Sequence, residues 1–89
     1  MPPIHYSSRF RKQYKKLTKP IRLKIEERVR IFLQDEFNPL LGNHVLQGKK
    51  YAGCRSIDIS GNYRLIYERY PDGYFNFVAV GTHPQLYGE

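Results

Sequence analysis

Arg64 stands second in Tyr63-Arg64-Leu65-Ile66-Tyr67, an otherwise apolar run where a surface lysine would be more ordinary. A planar guanidinium held there suits a phosphate or a carboxylate. Asp58 follows closely in the alternating run Arg55-Ser56-Ile57-Asp58-Ile59, as a proton acceptor or as an ion-pair partner for Arg64 or Arg55. An unperturbed carboxylate is a weak base, so the first role needs help from its surroundings. His5, His44 and His83 supply imidazoles, the side chains that exchange protons near neutral pH. They have no paired cysteine and no closely spaced carboxylates, so no zinc site and no other cofactor is expected. Cys54 is the only cysteine; it has no disulfide partner, and nothing beside it makes a catalytic dyad.

The chain that must position these residues has 89 of them, enough for one domain spanning 1–89 and too few for a tandem-domain enzyme. Hydrophobic residues make up 40% and aromatics 15%, which supplies one core and excludes a disordered or low-complexity chain. A chain this short buries only about 60% of its unfolded surface, so surface chemistry is expected rather than a deep pocket. Fifteen Lys and Arg against eight Asp and Glu give a net charge of +7, which calls for a polyanionic or acidic partner, nucleic acid first. No apolar run approaches the roughly 18 to 20 residues of a membrane span. Met1 to Ile4 lead into polar and basic residues with no apolar signal region. A soluble, cytoplasmic protein is the expectation.

Charge is unevenly spread. Between Arg9 and Arg30 stand ten basic residues against Glu26 and Glu27. Phe10, Tyr14 and Leu17 recur at helical spacing, which predicts a short helix capped by Ser7 or Ser8. Thr18-Lys19-Pro20 restarts the chain as a second helix over Pro20 to Asp35, with Ile21, Ile25, Val29, Phe32 and Leu33 on its apolar stripe. Asn38-Pro39 ends the pair. The period then changes. Arg55 to Ile59, Tyr63 to Tyr67 and Phe75 to Val80 read as three strands of an antiparallel meander, turning at Ser60-Gly61-Asn62 and Pro71-Asp72-Gly73. Ile4-His5-Tyr6 can add an edge strand. The predicted fold is α+β in the order β-α-α-β-β-β, with both helices on one face of a small, mainly antiparallel sheet and the other face free. If Ile57, Ile59, Leu65 and Tyr67 point at the helices, Ser56, Asp58 and Arg64 point away from them.

Three segments together carry a family resemblance: Asn43-His44-Val45-Leu46-Gln47-Gly48 with Lys49-Lys50 after it, Tyr63-Arg64-Leu65-Ile66-Tyr67, and Gly81-Thr82-His83-Pro84-Gln85-Leu86-Tyr87-Gly88. They resemble the RelE/ParE toxin superfamily, most closely its YafQ-like branch, with its H-x-L-x-G segment, its L-I-Y strand and its closing G-T-H-x-x-L-F/Y-G. Each motif alone is weak, and their order in a chain of this size makes the match fairly specific. The resemblance implies a RelE-like fold and the toxin of a type II toxin-antitoxin system. It further implies a metal-independent, ribosome-dependent endoribonuclease that cuts mRNA in the A site by attack of a ribose 2′-OH on the adjacent phosphate.

That chemistry needs a base, an acid and cations around the phosphate. His83 matches the family's C-terminal histidine and is read as the general acid, against a histidine that only closes the last strand. His44 matches the histidine before the basic loop, as a base or a phosphate contact. Asp58 falls where the YafQ branch has a second histidine, and Asn62 where it has an aspartate, so the base lies between His44 and Asp58. Arg64 departs from the YafQ branch and matches the Y-R-x-I-Y strand of RelE proper, where the arginine clamps the scissile phosphate. Lys49, Lys50 and Arg55 are expected to add phosphate contacts. Tyr87 matches an aromatic that either stacks on a base or packs in the core. The resemblance also implies an acidic antitoxin wrapped around an otherwise monomeric toxin, besides the ribosome and mRNA as targets. Two other functions share the fold: a ParE-like toxin that inhibits DNA gyrase by contact, and a non-catalytic RNA-binding module.

Overall fold

The computed structural model describes residues 4–88, so Met1, on which the reading against a secretory signal rests, lies outside the described residues. The elements are β1 (Ile4–Tyr6), α1 (Ser8–Lys15), α2 (Lys19–Gln34), a 3-10 turn (Pro39–Leu41), β2 (His44–Val45), β3 (Arg55–Ser60), β4 (Tyr63–Arg69), β5 (Phe75–Thr82) and α3 (His83–Tyr87). They form a five-stranded sheet in the order β1-β5-β4-β3-β2. β1 runs parallel to β5, and every other pairing is antiparallel. The α+β architecture expected from the sequence is therefore present. Among the described residues, no helix is long and apolar enough to cross a membrane.

Ser7 is the cap of α1: its Oγ accepts from the Phe10 N–H at 3.0 Å and donates to the Val78 carbonyl at 2.7 Å, tying the helix start to β5. Thr18 adopts the extended cap backbone of α2 without a side-chain bond, and Pro20 occupies the first turn. The expected parity holds. Phe10, Ile25, Phe32 and Leu41 pack on Ile57, Ile59, Leu65, Tyr67, Phe75, Phe77 and Val80 in one core between the helices and the sheet. Phe32 is its centre, with ring centroids 4.8 Å from both Tyr67 and Phe75 in edge-on contacts.

The opposite face departs from expectation. Its middle is closed by a second, smaller core of Tyr51, Cys54, Ile66, Ala79 and Leu86, built from the 46–54 loop and α3. Two features of the chain make this possible. A register shift against Ile66 and Tyr67 leaves Val78 as an extra residue in β5, which turns Ala79 and Gly81 to this face and Val80 to the helices. Thr82 then starts α3 with a reciprocal capping box: its Oγ1 accepts from the Gln85 N–H, and its own N–H donates to Gln85 Oε1. Thr82→Ala should cost about 1 kcal/mol in chemical denaturation and fray α3.

Candidate functional site

What remains open on the second face is its end nearest the β3–β4 hairpin, where the expected polar residues collect. Asp58 pairs across with Arg64, and Arg64 with Gly81, so the three form one row on the helix-free face. Arg64 Nε lies 3.0 Å from Asp58 Oδ1. Its Nη1 donates to the carbonyls of Gly61 at 2.9 Å and Tyr63 at 3.0 Å. These contacts fix the plane of the guanidinium. A partly exposed ion pair contributes little stability, so its chief effect is orientation. At the third place in the row, a Cβ on Gly81 would meet Gln85 Oε1 at 2.8 Å, so the missing side chain is what admits the cap of α3.

His44 pairs with Ser56 on the neighbouring row, which makes it a diagonal neighbour of Asp58 at about 7 to 8 Å by sheet geometry. Its Nδ1 is 3.0 Å from the Gly42 carbonyl. A carbonyl only accepts, so Nδ1 carries the proton, and in the neutral ring Nε2 holds a lone pair. The residue is exposed.

His83 is the first residue of α3, two positions beyond Gly81. Its backbone N–H donates to the Asn62 carbonyl at 3.0 Å, which fastens α3 to the hairpin turn. Its exposed ring lies 4.5 Å, centroid to centroid, from Tyr87. Tyr87 is half-buried and packs on the second core, with its ring 5.8 Å from and perpendicular to that of Tyr51. Burial raises the pKa of its hydroxyl. Tyr51 is a residue that sequence reasoning passed over. Its hydroxyl donates to the Leu86 carbonyl at 3.1 Å, joining the 46–54 loop to α3. The exposed Lys49 and Lys50 precede it, and Lys50 Nζ lies 5.5 Å from the Tyr51 ring centroid.

Arg55, expected to add phosphate contacts with Lys49 and Lys50, is not brought to this face. By strand parity it lies with Ile57, where its Nε donates to Asn43 Oδ1 at 2.7 Å and its guanidinium lies 5.1 Å from the Phe37 ring centroid. Asn43 Nδ2 in turn donates to Tyr67 Oη at 2.7 Å and the Glu36 carbonyl at 3.0 Å, and the Tyr67 hydroxyl donates to Glu36 Oε2 at 2.6 Å. Burial first, and then the hydrogen bond to Glu36, push the Tyr67 pKa far above the ordinary tyrosine value. The folded chain therefore holds this proton more tightly than the unfolded chain. Its contribution is complete below the unfolded pKa of about 10 and is lost as pH rises beyond it. Urea midpoints should fall above about pH 10, and less steeply for Tyr67→Phe.

Cys54 is buried, and burial foremost raises its thiol pKa, which disfavours the reactive thiolate. Among the described residues, no three His, Cys, Asp or Glu side chains cluster closely enough to hold a metal ion.

Two N-terminal helices on one face of this sheet, with the arginine row and His83 at one end of the other, make a RelE-like toxin fold. The chain belongs to the YafQ family of bacterial toxins of type II toxin-antitoxin systems, whose family model matches residues 3–88. It is similar to the crystal structure of YafQ from E. coli strain BL21(DE3), with 24% identity and a TM-score of 0.81 over 99% of this chain and 100% of that one. YafQ in the E. coli DinJ-YafQ toxin-antitoxin complex is 25% identical, with a TM-score of 0.78 over 98% of each chain. The intact E. coli RelBE toxin-antitoxin complex matches at 21% identity and a TM-score of 0.72, over 92% of this chain and 96% of that one. No curated protein matches the chain.

Proposed function

We propose that the protein is a ribosome-dependent, metal-independent endoribonuclease that cleaves mRNA in the A site. The observation that carries the reading is the placement of an oriented guanidinium, Arg64 on β4, between two histidine-bearing elements, β2 with His44 and α3 with His83. His44 Nε2 accepts the proton of the ribose 2′-OH as that oxygen attacks the neighbouring phosphorus. Arg64 binds the phosphate oxygens as their charge grows. The bond from phosphorus to the 5′-oxygen then breaks, and His83 gives that oxygen a proton, leaving a 2′,3′-cyclic phosphate and a 5′-hydroxyl. Asp58 orients Arg64 through the contact of its Oδ1 with Nε, and the open Nε2 of His44 favours the histidine as the base.

Lys49 and Lys50 contact the RNA backbone, and Tyr87 holds His83 from behind while offering its remaining edge to a base. The cations of α1 and α2 lie on the far side of the molecule, where they suit sequence-blind docking on ribosomal RNA. The DinJ and RelB partners of the similar structures support a cognate antitoxin here, acidic enough to cover these helices or the Arg64 face.

Brief induction of the toxin, followed by parallel labelling of new protein and new DNA, tests this reading against gyrase inhibition. The expected result is an early stop in protein synthesis with DNA intact. DNA breaks with translation continuing would favour the ParE-like action.

A further inference from the structure

We infer that Gly42 is a positioning residue that serves the proton acceptor and the phosphate clamp at once; the catalytic part of this inference rests on the nuclease reading above. Gly42 ends the Pro39–Leu41 turn in the left-handed conformation, at φ 54° and ψ 37°. Its carbonyl takes the His44 Nδ1–H. Its bare Cα faces Asp58, where a Cβ would collide with Oδ2 of the carboxylate that holds Arg64. One backbone unit thus sets the tautomer of His44 and backs the partner of Arg64. Glycine answers both demands, because it adopts positive φ without penalty and leaves room for the carboxylate.

Gly42 is itself held on both sides. Leu41 is wholly buried in the helix-side core. Asn43 is fixed by its bonds to Glu36, Tyr67 and Arg55. The two neighbours face the core and the polar network, and only Gly42 is turned to the site. Arg55 and Tyr67, which lie on the other side of β3 and β4, thereby reach the site only through Asn43 and Gly42. His83 is carried separately by α3.

The first test is the tautomer of His44, read by long-range proton–nitrogen correlation NMR on the full chain in a His83→Gln background that permits expression. A neutral ring protonated on Nδ1 is expected; one protonated on Nε2 overturns the inference. The second test is the kinetics of Gly42→Ala on ribosomes programmed with mRNA. A fall in kcat of about tenfold to a hundredfold is expected, with KM little changed and the Nδ1–H preference lost. Unchanged kcat in folded Gly42→Ala overturns the inference. If that variant does not fold, Tyr67→Phe, which keeps the ring and removes one of the three bonds that fix Asn43, should lower kcat in the same direction, and unchanged kcat there overturns it equally. His83→Gln separates the two readings. Its loss of cleavage beside full activity in Gly42→Ala rejects the role of Gly42 alone, whereas toxicity that survives His83→Gln rejects the nuclease reading.

Discussion

His83→Gln should lower the rate of mRNA cleavage by about 10²- to 10⁴-fold, the usual range for removing a positioned general acid. Glutamine keeps a polar side chain at the start of α3 but cannot lend a proton to the leaving 5′-oxygen. The backbone N–H bond to the Asn62 carbonyl and the capping box of Thr82 and Gln85 are untouched, so α3 stays in place. His83 is exposed and its ring packs on Tyr87, so stability should change by no more than about 1 kcal/mol. Arg64→Ala should cost about 10²- to 10³-fold by removing charge stabilisation of the phosphate. Arg64→Lys should not restore it, since a single ammonium nitrogen cannot hold Asp58 and the Gly61 and Tyr63 carbonyls and still present a separate donor, as Nη2 does, to a phosphate. Ribosome binding should survive in all three variants, because the cations of α1 and α2 remain. Sedimentation with ribosomes and single-turnover cleavage measure the two properties separately.

Phe32→Ala is the largest expected effect on the fold, a loss of about 3 to 5 kcal/mol. Phe32 is 1% exposed and touches the rings of Tyr67, Phe75 and Phe77, so truncation opens a cavity at the junction of α2, β4 and β5. In a domain whose whole stability is about 5 to 15 kcal/mol, that loss is a large share. Lys12→Ala on exposed α1 should lie within about 0.5 kcal/mol of the wild type and show itself instead as weaker, more salt-sensitive ribosome binding. Urea titration distinguishes the two. Equal losses would contradict the assignment of buried and solvent faces to the helices.

Helix periods and strand alternation were enough to read the main core, because Phe10, Ile25, Phe32, Ile57, Leu65 and Tyr67 all obey a single repeat. The same alternation placed Asp58 and Arg64 together on the opposite face, and their ion pair is found there. It also assigns Arg55 to the side of Ile57, a consequence obscured by treating every cation near the motif as a phosphate ligand. Val78 could not be read. A bulge inserts one residue into a period of two, and no residue type in Phe75 to Val80 marks where. The two-residue β2 is too short to display a period. α3 was absent from the expected β-α-α-β-β-β order, although Thr82-His83-Pro84-Gln85 and Gly88 carry its signals, a capping box, an early proline and a left-handed terminus. The second core followed from both of these, and with it the burial of Cys54 and the role of Tyr51. Gly42 was illegible for a different reason. Its function lies in what its backbone touches, and those partners, His44 and Asp58, meet only after β2 and β3 have paired.

Mapping of mRNA 5′ ends after brief expression of the toxin tests the central claim most directly. Two copies of one reporter message should be compared, identical except that one lacks a start codon. Cleavage on the endonuclease account falls at positions in phase with the codons of the translated copy, leaves 5′-hydroxyl ends, spares the untranslated copy and disappears in His83→Gln. Cuts distributed without phase on both copies, or growth arrest with no new 5′ ends at all, would contradict it.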